Sequence, residues 1–107
     1  KQERERMALA QEREAAQRAA ANRRDLIKAS FSTWDGSHKG LTKRIKANMH
    51  DPKSYEHVKT VYVDKGNYLL VQTTFRGKNA FNAKVIGSIT VKANLYGDVL
   101  SVVSQEP

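Results

Sequence analysis

Two features of this sequence could do chemistry: three histidines, His38, His50 and His57, and a short stretch, "FRGKNAFNAKV" at residues 75–85, that offers two cations and an amide. The histidines are 12 and 7 residues apart, which matches no metal-ligand spacing. His50 falls at a helix C-terminus, where a cation is favoured anyway. His38 and His57 read as ordinary exposed residues. General acid–base catalysis needs a carboxylate or histidine with no other duty. Of the six acids after residue 30, Asp51 is accounted for by the proline that follows it, Asp64 and Asp98 by turns, and Glu106 by the chain end. Asp35 reads as a cap before a helix, and Glu56 has no nameable partner. "GSHKG" offers either a plain turn or a seat for an anion at a helix start. No nucleophile elbow, phosphate-cradling loop or dinucleotide fingerprint occurs. The sequence therefore predicts no catalytic residue, no metal, no cofactor and no small-molecule substrate.

Binding is what remains. Alternation along the strands predicts an outward sheet face carrying Tyr68, Leu70, Thr74, Arg76, Lys84, Ile86, Thr90 and Lys92. Such a face reads in three ways: solvated polar surface, protein contact or self-association through Leu70 and Ile86, or nucleic-acid contact through the cations. One tyrosine is a poor stacking platform, and no RNA-recognition signature accompanies it. The 75–85 stretch reads either as a binding loop or as a wide turn. In the second reading Gly77 and Asn79 supply positive φ, Arg76 and Lys78 project as a pair, and Phe81 folds back over the core edge. The candidate partner-binding residues are Arg76, Lys78, Asn79, Tyr68, Lys84 and Lys92.

The elements that must position these residues follow from pattern. Residues 1–31 are built from Ala, Glu, Gln, Arg and Lys with no Gly or Pro, which predicts a long helix. Its heptad-like stripe, Ala8, Ala15, Ala19, Asn22 and Leu26, is too small to hold a firm dimer. Residues 1–25 are therefore a charged connector helix, and residues 26–107 are the compact domain, with Leu26, Ile27 and Phe31 docked on its core. "STWDGSHKG" is a turn cluster. "LTKRIKANMH" places Leu41, Ile45 and Met49 on one face of a short amphipathic helix. Pro52 ends it, and Asp51 caps a single following turn.

Period-two alternation then gives four strands. "HVKTVYV" turns at "DKGN" into "YLLVQTTF", with Leu69, Val71, Thr73 and Phe75 inward. "KVIGSITVKANL" puts Val85, Ile89, Val91, Ala93 and Leu95 inward, and "YGD" leads into "VLSVV". The predicted class is α+β, an antiparallel meander with helix on one face.

Composition agrees with a small basic domain. The 107 residues carry a net charge of +8, with +3 on residues 1–28 and +5 on the rest. That balance serves solubility or attraction to anionic partners. No apolar run reaches membrane-spanning length, so no insertion is expected within this chain. The absence of cysteine excludes disulfide and thiolate chemistry.

The series "WDGSH", "DPKSYEHV", "TTFRGKNAFNAKV" and "ANLYGDVLSV" resembles a group of small bacterial and phage-associated domains of uncharacterised function. The resemblance spans residues 33–103. It implies a helix ending in Asp-Pro-x-Ser, a β-meander, and a membrane segment upstream that would tether the domain at the bacterial cell envelope. No catalytic residue comes with it. Two functions are thus expected: a non-catalytic accessory domain that meets another protein or a second copy, or alternatively a nucleic-acid-binding module using the basic helix and sheet faces.

Overall fold

In a computed structural model, which describes residues 2–106, the chain is an α+β domain carried on a projecting helix. The order is α1 (Gln2–Ala29), α2 (Lys39–Asn48), a single 3-10 turn (Pro52–Ser54), then β1 (Glu56–Asp64), β2 (Leu69–Lys78), β3 (Lys84–Ala93) and β4 (Val99–Glu106). The strands form one antiparallel sheet in the order β1-β2-β3-β4. The molecule measures 75 × 25 × 17 Å. Most of that length is α1, whose 28 residues extend about 42 Å.

Every residue from Gln2 to Ala20 is exposed, as a helix with only alanines on its stripe must be. Burial begins at Ala21 and is complete only at Ile27 and Ser30. The anchor also has a charged part. Arg23 donates to both carboxylate oxygens of Asp64 and, at 2.6 Å, to the Gly66 carbonyl, tying α1 to the β1–β2 hairpin. No helix among the described residues is long and apolar enough to cross a membrane.

The core is one layer between helices and sheet. Ile27, Leu41 and Ile45 meet Leu69, Val71, Ile89, Val91 and Ala93, with Phe31, Met49, Tyr55, Phe75, Leu95 and Val99 packed around them. The inward parity of β2 and β3 is as expected, except at Val85. That residue has inward parity yet is 44% exposed, lining an open groove beside Met49 and Gly77.

Several local expectations are corrected. His38 is fully buried and is itself the N-cap of α2: its Nδ1 accepts from Leu41 N at 3.0 Å. Asp35 instead accepts from Ser37 N and Ser37 Oγ inside the preceding turn. His57 lies mostly covered beneath that turn, near Asp35. Asp51 makes no side-chain cap; its carbonyl accepts from Ser54 N and Ser54 Oγ. Residues 76–78 are not loop. β2 continues through Lys78, so the connection to β3 is only the five residues from Asn79 to Ala83.

A candidate interaction surface at the end of strands β2 and β3

Gly77 explains why the strands can pass so close to α2. Its φ is not positive, contrary to the turn reading; the one non-glycine residue among those described that has positive φ is Asn82, at 62°. A Cβ on Gly77 would instead overlap Met49 Cε. Gly77 is thus a gap in the strand into which Met49 fits. On the same side Ser54 Oγ accepts from Lys78 N at 2.8 Å, fixing the last residue of β2 to the 3-10 turn.

Beyond that point the chain makes a tight loop. Asn79 N donates to Ala83 O, and Asn82 N to Asn79 O. The Asn79 side chain closes the structure from within, its Oδ1 accepting from Phe81 N at 2.9 Å and Ala83 N at 3.1 Å. Asn79 is therefore occupied by the loop itself. Phe81 does not fold back onto the core. It is 90% exposed, held out at the tip of a turn whose backbone groups are satisfied. The loop is closed between Asn79 and Ala83, which leaves Phe81 at its tip and away from the core.

The β3–β4 connection repeats this design. Asn94 N donates to Asp98 O and Gly97 N to Asn94 O, while Asn94 Oδ1 accepts from Tyr96 N and Asp98 N. Gly97 takes the positive φ that Asn82 takes in the first loop, and Tyr96, the counterpart of Phe81, is 77% exposed. The shared pattern, Asn-x-aromatic-Asn/Gly-x, is visible in "NAFNA" and "NLYGD" once the two are aligned. In a meander these two loops lie at opposite ends of the sheet.

At the Phe81 end both faces of the sheet run up to the loop. On the helix side, a groove of about 350 Å³ is lined by Met49, Phe75, Gly77, Lys78, Val85 and Gln105, with Asn79 and Ala80 of the loop at its edge. On the outer side, Ile86 is 54% exposed opposite Arg76. Arg76 and Lys78 both project outward and make no ion pair among the described residues. The other candidate cations are engaged. Lys84 donates to Glu56 at 2.5 Å, which supplies the partner Glu56 lacked in the sequence and holds its carboxyl below the usual range. Lys92 sits 4.9 Å from the centre of the Tyr68 ring, so its charge already lies over one face of that ring. The six candidate residues thus divide: Arg76 and Lys78 gather at one end, Lys84 is paired close by, Tyr68 and Lys92 pair at the other end, and Asn79 builds the loop.

One hydrogen-bonded chain has the order of a catalytic relay. His57 Nε2 and Thr60 Oγ1 are 2.8 Å apart, Thr60 Oγ1 and Thr73 Oγ1 are 2.8 Å apart, and His57 Nδ1 lies 3.9 Å from Asp35 Oδ2. The last distance is too long for a hydrogen bond. Thr60 is held from both sides, and Thr73 is fully buried. The chain satisfies polar groups where the turn at 31–38 crosses β1. No group of His, Asp and Glu able to hold a metal occurs among the described residues. No protein family, curated protein or solved structure matches the chain.

Proposed function

We propose that this chain is a non-catalytic interaction domain, displayed on a helical spacer, whose β2–β3 end contacts another protein. The observation that carries this reading is Phe81: a large aromatic side chain almost wholly in water, at the tip of a loop ordered by its own asparagine. Exposed aromatic residues held in a fixed conformation lose little entropy on binding and dominate interface energetics. Arg76 and Lys78 flank the tip with unpaired charge, and Ile86 and Val85 extend its apolar area on the two sheet faces. A positive rim around an aromatic anchor favours an acidic partner surface and speeds encounter with it. The exposed helix 2–20 supports the spacer role, since it contributes reach and no packing. Tethering at the bacterial cell envelope through that helix is part of the same proposal and rests on the resemblance to bacterial and phage-associated domains.

A photo-crosslinking amino acid placed at Phe81, with one at the exposed Lys43 as control, tests the assignment in cells expressing the chain. The expected result is a protein adduct specific to position 81 that weakens when Arg76 and Lys78 are both changed to Ser. Adducts common to both positions, or adducts with nucleic acid, overturn it.

A further inference from the structure

Edge strand β1 presents a surface separate from the Phe81 loop, which joins the two central strands. The two edge strands differ. β4 is interrupted twice in its pairing with β3, and irregularities of this kind blunt an edge against further pairing. β1 is interrupted once, between His57 and Lys59, and then runs in unbroken register from Lys59 to Asp64. The backbone groups of Lys59–Val63 that face away from β2 have no hydrogen-bond partner among the described residues. They form a template for one more strand.

A groove runs beside that template on the helix side. Ile27, Lys28, Phe31, Gly36, Thr60 and Tyr62 line a cavity of about 350 Å³. The Phe31 and Tyr62 rings lie 4.9 Å apart and tilted by 33°, a surface suited to an inserted apolar or aromatic side chain. On the outer side of the same strand, Val61 and Val63 are about half exposed. A strand added at this edge would therefore meet apolar surface with both sets of its alternating side chains.

The charge pattern selects the occupant. The carboxylates at the two ends of β1 are already taken, Asp64 by Arg23 and Glu56 by Lys84. Asp35, within the turn, is hydrogen-bonded to Ser37. Lys28 at the groove and Lys59 on the strand make no ion pair among the described residues. We infer that the β1 edge and the Phe31–Tyr62 groove bind an extended acidic peptide segment of another protein by strand addition, with an apolar side chain in the groove and carboxylates on Lys28 and Lys59.

A second copy of this chain fits less well. Two antiparallel strands must set residues of the same face opposite one another. A β1–β1 register centred on Val61 sets Lys59 against a second copy's Val63, and one centred on Tyr62 sets it against a second copy's Lys65. Neither gives Lys59 a carboxylate.

The test titrates isotope-labelled full chain with a synthetic peptide alternating valine and threonine around a central phenylalanine, with glutamates at both ends. Amide shifts are expected in Lys59–Asp64 and Ile27–Phe31. The Lys28→Glu/Lys59→Glu double variant, checked for an unchanged thermal midpoint, should bind about tenfold more weakly or worse. A peptide with methylated backbone nitrogens along its pairing side should not bind, which separates strand addition from simple apolar contact. The inference is overturned by no shifts up to about millimolar peptide, a concentration that would detect even weak binding. It is also overturned by shifts confined to residues 76–86, by equal binding of the methylated or a lysine-flanked peptide, or by light scattering that finds a dimer joined through β1.

Discussion

Met49 Cε occupies the place where a side chain at position 77 would begin, so Gly77 and Met49 are two halves of one packing decision. The same relationship recurs at the other end of α2, where a Cβ on Gly40 would run into the Gly97 carbonyl oxygen. The two contacts seat α2 on the sheet at both of its ends. They differ in what must yield.

That difference predicts opposite tolerance. Met49 Cε is the free end of a flexible chain, so Gly77→Ala should be accommodated by a rotamer change and cost less than about 1 kcal/mol. Gly40→Ala presses on backbone. In an ordinary helix that substitution would stabilise by about 1 kcal/mol, but here it should destabilise by more than about 1 kcal/mol. Urea unfolding of both variants decides it. A Gly40→Ala variant more stable than the parent would show that α2 does not touch the β3–β4 loop.

The spacer reading predicts that removing residues 1–22 leaves the domain's stability unchanged, because that stretch buries almost nothing and Arg23 is retained. The thermal midpoint should move by less than about 4 °C, corresponding to less than about 1 kcal/mol in a domain of this size. A larger fall would mean that the exposed helix packs on something in solution.

Much of this architecture was legible. The helix-forming composition of residues 1–31, the four-residue spacing of Leu41, Ile45 and Met49, and the alternation of β2 and β3 each report a local preference that tertiary structure did not override. What escaped depends on neighbours distant in sequence. Glu56 finds Lys84 across 28 residues, and Arg23 finds Asp64 across 41. His38 looked like a surface residue because nothing local says that Phe31 will close over it edge-on, with ring centres 5.1 Å apart. Gly77 looks like a turn glycine in the sequence because a glycine needed for close approach and one needed for positive φ are indistinguishable there. The paired asparagine loops carry a usable signal, an internal repeat of Asn-x-aromatic-Asn/Gly beginning at Asn79 and Asn94.

His38 predicts a pH dependence. Desolvation of the buried ring pushes its pKa below the ordinary value of 6.5, and Nδ1 accepts a backbone hydrogen bond that the protonated ring could not. The folded state therefore binds fewer protons than the unfolded state once the pH drops below about 6.5. Stability is full above that value and is lost progressively as pH falls toward the folded-state pKa. Asp35, Glu56 and Asp64 have lowered values and begin to add their own loss only below about pH 5. Thermal midpoints should thus decline between pH 7 and 5. His38→Asn, which keeps an N-cap acceptor, should flatten that decline; an unchanged slope would assign it elsewhere.

The two asparagine loops predict a pair of opposite effects at neighbouring positions. Asn82 holds a left-handed φ of 62°, the conformation that Gly97 occupies in the matching loop. Relief of that strain should make Asn82→Gly neutral or stabilising by up to about 1 kcal/mol. Asn79→Ala removes the acceptor for two backbone N–H groups and should destabilise by about 1 kcal/mol. If the fixed display of Phe81 matters for contact, Asn79→Ala should also weaken crosslinking at position 81 more than its loss of stability accounts for, whereas Asn82→Gly should leave it intact. Chemical denaturation and the position-81 crosslink, measured on both variants, read the two effects separately. Equal crosslinking yields in a stable Asn79→Ala protein would show that Phe81 binds without needing its loop held in shape.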